Sequence, residues 1–87
     1  MPDGVFFAVD RKMGAQVEIR RSHETVTSPS GSTCEGNTRF TVIHGGRHDI
    51  NGKLASPVHG HPGRFEILTG TEKITVESDD PLAQPPY

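Results

Sequence analysis

The chain has 87 residues, 31% hydrophobic and 23% charged, with a formal net charge of -2. That length bounds it to one domain, and 10 glycines and 7 prolines beside three leucines and twelve valines and isoleucines exclude a helical bundle in favour of short strands and turns. The longest apolar run, Val5-Phe6-Phe7-Ala8-Val9, is far below the roughly 20 residues of a membrane helix, Met1-Pro2-Asp3-Gly4 carries no mark of a secretory leader, and no basic patch beyond Arg20-Arg21 recommends nucleic acid.

Residues 4–9 read as a buried strand or a docking segment. Residues 15–20 alternate, with Ala15, Val17 and Ile19 on one face and Gln16, Glu18 and Arg20 on the other, the period of a half-buried strand. Residues 10–14 then form a hairpin turn. Residues 28–37 are turn-formers apart from Cys34 and Glu35 and read as a loop. Residues 38–43 alternate again, with Phe40 and Val42 on one side. Gly45-Gly46 breaks that run, residues 48–50 form at most a short strand, and Asn51-Gly52 is a strong hairpin-turn signal. Residues 56–63 form a second loop, and residues 65–68 and 72–77 make a hairpin. The tail, residues 78–87, is acidic and then proline-rich, and reads as an extended segment lying on a surface.

An approximate repeat links residues 39–55 to residues 64–83. Each copy has Arg-Phe, an apolar pair, a glycine turn, a short strand, a polar turn and Leu-Ala. The core of so small a chain is thin, and a single cysteine closes no internal disulfide. A metal, a partner or both are therefore expected to supply stability.

Five histidines and Cys34 are the residues with metal chemistry. In His59-Gly60-His61 the two imidazoles are two apart, so in an extended segment both face one ion. Cys34 adds a thiolate suited to tetrahedral zinc. Any of His44, His48 and His23 could supply the remaining position. Each has an ordinary alternative as a hydrogen-bonded or exposed side chain, and Cys34 as a small inert thiol. A Cys–His nucleophile has no orienting group marked out beside it, and no GxSxG, P-loop or CxxC is present. The reading is therefore of a non-enzyme.

The residues that follow resemble those of the PAAR-repeat proteins, the conical tips of contractile phage tails and type VI secretion spikes. Ile50-Asn51-Gly52-Lys53-Leu54-Ala55 is similar to that family's recurring strand and Asn-Gly-Lys signature. Ile67-Leu68-Thr69-Gly70-Thr71, Ile74-Thr75-Val76 and Asp80-Pro81-Leu82-Ala83-Gln84 resemble the next copy. Val58-His59-Gly60-His61 and Thr33-Cys34-Glu35-Gly36 fall where the family places metal-binding residues. The likeness covers residues 33–84; the first copy lacks the signature proline, and a third copy is not seen.

The resemblance implies an all-β, conical domain of short β-hairpins with a pseudo-three-fold arrangement and little or no helix. It implies residues 23–87 as the metal-binding tip and residues 1–22 as a strand pair that docks on the carrier through Val5, Phe6, Phe7, Val17 and Ile19. The metal implied is zinc, with iron as the alternative, held by Cys34, His44, His59 and His61 with His23 and His48 in reserve. The partner implied is a trimeric β-helical tail spike, capped and sharpened to pierce a target envelope. Contact with the target membrane is transient, and no nucleic acid or turnover is involved. The location implied is a virion tail tip or an extracellular contractile injection particle, reached from the cytoplasm without a signal peptide. Two other expectations stand beside it: a homotrimeric spike apex with a His-x-His iron site from His59 and His61, and a free small β-barrel that binds a partner.

Overall fold

The computed structural model describes residues 3–46 and 50–87. His48, and with it the strand expected at residues 48–50, lies outside the described residues apart from Ile50, which sits in a turn. The fold is all-β, with one 3-10 turn at Pro81–Ala83.

Six strands form one antiparallel sheet: β1 (Gly4–Asp10), β2 (Gln16–Thr27), β3 (Thr33–His44), β4 (Ala55–Pro57), β5 (Arg64–Leu68) and β6 (Lys73–Glu77). Their spatial order is β3-β2-β1-β6-β5-β4. The sheet curls until β3 meets the residue preceding β4, in a bridge between Thr41 and Leu54, where Val42 N donates to Lys53 O at 2.9 Å. β2 runs through residue 22, so the N-terminal strand pair and the remainder share one sheet and one core.

Alternation decides what enters that core. In β1, Phe6 and Ala8 point in while Val5, Phe7 and Val9 point out; the unbroken apolar run conceals an ordinary two-sided strand. Val17 and Ile19 of β2, Phe40 and Val42 of β3, Phe65 and Ile67 of β5, and Ile74 and Val76 of β6 complete the interior. Three phenylalanines meet at its centre, with Phe40 and Phe65 4.7 Å apart, Phe6 and Phe65 5.7 Å, and Phe6 and Phe40 6.0 Å between ring centroids. Tilted and edge-on contacts of this kind add to the area they bury.

The matched positions of the two repeat-like segments, Phe40 with Phe65, Val42 with Ile67, Ile50 with Ile74 and Ala55 with Ala83, are all buried. Their settings differ. Residues 64–77 form a five-pair hairpin, whereas residues 39–55 return through the Asn51-Gly52 turn to the single bridge that closes the curl.

The antiparallel order gives the body two ends. At one lie the turns of residues 11–15 and 69–72 and the C-terminus of β3. Asp10 is buried there, and its carboxylate accepts from Lys12 N at 2.8 Å and Met13 N at 3.2 Å, pinning the first turn. At the other lie Asp3, the β4–β5 turn, the tail and the far halves of β2 and β3. Gly63 is required at this end: its φ is +83°, and a Cβ would stand 2.3 Å from Ser78 O.

Candidate functional site: the projecting arm and its root

β2 and β3 each have 12 residues, longer than any other strand. β1 accompanies β2 only as far as Gly4 opposite Arg21, and Leu54, just before β4, bridges β3 at Thr41. Beyond those points the two strands leave the body as a twisted ribbon, and the molecule measures 48 Å along its long axis against 26 and 21 Å across. No described residue in 24–37 is buried. The segment expected to be a loop over residues 28–37 is strand from Thr33 onward, and only residues 28–32 turn. Thr25, Val26, Thr27 and Thr33, all β-branched, favour extended backbone without burial.

A bulge marks where the arm departs. His23 lies opposite Thr38, but Thr25 lies opposite Glu35, so Gly36 and Asn37 together face Glu24. A side chain on Gly36 would meet Val26 Cγ2 at 2.8 Å. Arg39 forms an ion pair with Glu24 across the same place.

His23 is held on both nitrogens. Its Nδ1 is 2.5 Å from Asp3 Oδ1 and its Nε2 is 2.9 Å from Thr38 Oγ1, with the imidazole 6% exposed. When Asp3 Oδ1 accepts from Nδ1–H, the unprotonated Nε2 is the acceptor of the Thr38 hydroxyl.

The tail is anchored beside this cluster. Arg21 is 2% exposed and donates from Nη1 to Leu82 O at 2.9 Å and from Nη2 to Pro86 O at 3.2 Å. Its guanidinium lies 5.8 Å from the Tyr87 ring centre, and that ring meets Phe40 edge-on at 5.2 Å. Burial pushes the Tyr87 hydroxyl above its ordinary pKa, against the opposing pull of Arg21. Far from lying wholly on a surface, the tail sends Ala83 into the core.

The expected metal ligands are spread through the molecule. Cys34 is exposed on the arm, opposite Val26, four residues and about 13 Å of strand beyond Thr38. His44 is exposed at the other end of β3, about 20 Å from Thr38 and opposite Glu18. His59 and His61 are exposed in the β4–β5 turn, at the arm end of the body. His59 lines a shallow cleft of about 370 Å³ with Pro57, Val58, Pro62, Pro85 and Tyr87. Both nitrogens of His23 are already engaged. Among the described residues no three His, Cys, Asp or Glu side chains form a metal-binding group.

Of the residues expected to dock, Phe6, Val17 and Ile19 belong to the core. Val5 and Phe7, 45% and 55% exposed, face outward with Val9. Sequence reasoning missed the arm, the Arg21 anchor and the Asp3–His23–Thr38 series. The first carried a signal in its β-branched residues; the last two join residues far apart in the chain and carried none. Comparison with protein families, curated proteins and solved structures gives no match to this chain.

Proposed function

We propose that the protein is a docking module that joins a larger assembly by strand addition, with the β2–β3 arm as its plug. The observation that carries this reading is the arm's lack of support: two strands extend past the core, and no described strand pairs with either outer edge. An isolated two-stranded ribbon is marginal in water. Its open rows of N–H and C=O groups are a template for another sheet.

The partner proposed is a trimeric β-helical tail spike, whose blunt end offers strand edges of the same kind. The order of motifs over residues 33–84 supports that partner. The body would then form the leading end of a contractile particle or virion tail, and its work would be mechanical.

Mixing the chain with such a spike and weighing the complex by native mass spectrometry tests the reading. The intact chain should add to the trimer. A variant with residues 24–37 replaced by Asn-Gly should still melt cooperatively and fail to bind. Undiminished binding by the shortened chain would sink the proposal.

A second reading rests on the β4–β5 turn. His59 and His61 share one exposed turn, and their rings have no hydrogen-bond partner among the described residues. Two ligands from each of three chains would complete an iron site at a homotrimeric apex. That reading requires iron and protein to titrate at one ion per trimer. A monomer in excess iron would discard it.

A further inference from the structure

Docking makes no use of the chemistry at the arm root. Asp3, His23 and Thr38 come from the N-terminal segment, β2 and β3 and form a carboxylate–imidazole–hydroxyl series with contacts of 2.5 and 2.9 Å. A nucleophile within reach of a base, with a third group orienting the base, is the arrangement that activates a hydroxyl. Thr38 also borders a cleft of about 290 Å³ with Phe40, Leu54, Ala55 and Pro57 as apolar wall and Arg39 and Glu24 at its edge. That is the lower end of ligand-sized cavities, so only a small acyl group fits.

We propose that Thr38 is an acyl-transfer nucleophile for small activated esters, with His23 as general base and Asp3 as its positioning residue. Thr38 Oγ1 bonds to the ester carbonyl carbon while its proton passes to His23 Nε2. The tetrahedral intermediate collapses, the bond to the leaving alcohol breaks, and His23 returns the proton to that oxygen. The products are an acyl ester on Thr38 and a free alcohol. Water then repeats the sequence on the acyl group, releasing the acid and restoring the hydroxyl. No cofactor or co-reactant other than water is needed.

Incubating the full chain with p-nitrophenyl acetate, following nitrophenolate release and locating the acetyl group by tandem mass spectrometry tests this. The acetyl group should be found on Thr38. His23→Gln should slow release by about 100-fold or more, the ordinary worth of a general base. Asp3→Asn should slow it by less, because Asp3 is 56% exposed and water screens it, and Asp3→Glu should restore part of the rate. Thr38→Ser should keep the reaction and Thr38→Val, of similar volume, should abolish the adduct. Acetyl found only on amines, or a Thr38→Val rate equal to that of the unaltered chain, would overturn the proposal and leave the series as a clasp on the arm root. If His23→Gln fails to fold, the Thr38→Val result decides alone.

Discussion

The inner and outer halves of β2 and β3 share one hydrogen-bonded ladder yet live in different surroundings. In the inner half, Val17, Ile19, Phe40 and Val42 face a core built with β1, β5 and β6. In the outer half, Thr25, Val26, Thr27 and Thr33 face water. Backbone pairing is the same on both sides of the bulge, so pairing does not separate them. The difference is neighbours: β1 stops at Gly4, and the bridge from Leu54 to β3 lies at Thr41. One stretch of strand is held by burial, the other only by its own ladder and β-branched backbone preference.

Substitution on each side should expose the contrast. Phe65→Ala removes the ring that touches both Phe6 and Phe40 and should cost about 3–5 kcal/mol, read as an early midpoint in urea or loss of folding. Arg21→Met keeps the apolar stem but leaves the Leu82 and Pro86 carbonyls without their donor. It should cost about 1–3 kcal/mol, and tail amides should lose hydrogen-exchange protection before those of β5. Val26→Thr, on the arm, should move the urea midpoint by no more than about 0.5 kcal/mol. A Val26→Thr cost as large as that of Arg21→Met would show that the arm is packed in solution and erase the distinction.

The smallest effect concerns pH. Tyr87 has a raised pKa in the folded chain, so folding favours its neutral form. That contribution is complete below the unfolded value of about 10 and is lost as pH rises through the folded value. Thermal midpoints at pH 9 and 11 should show a modest fall at the higher pH, absent in Tyr87→Phe.

Much of the body was legible because its strands alternate. The expected strands at residues 15–20, 38–43, 65–68 and 72–77 lie within or close to β2, β3, β5 and β6. Residues 4–9 were ambiguous because five apolar residues in a row erase the signal of which face is inside, and Phe6 consequently passed for a docking residue; Val17 and Ile19 were assigned to docking through the family resemblance, although the alternation of residues 15–20 already marked them as one buried face. The arm was hidden by composition. Serine, glycine and proline dominate residues 28–37, and the one cue to strand, isolated β-branched residues with no apolar partner two positions away, is weak without burial to reinforce it. The arm-root series was invisible for a different reason. Asp3, His23 and Thr38 are brought together only by the register of β2 against β3 and the course of the N-terminal segment, and register is a property of the whole sheet.

The bulge at Gly36 and Asn37 also works as a phase shifter. On the body side of it, even-numbered residues of β3 such as Phe40 and Val42 share the inward face; on the arm side Thr33 pairs with Thr27 and takes that phase, leaving Cys34 beside Val26 on the other. The ribbon thereby has a hydroxyl-rich side and a side bearing its valine and thiol. Loss of either Gly36 or Asn37 would leave one residue opposite Glu24 and the same pairs beyond it, so the bulge can be removed without exchanging the two sides of the arm.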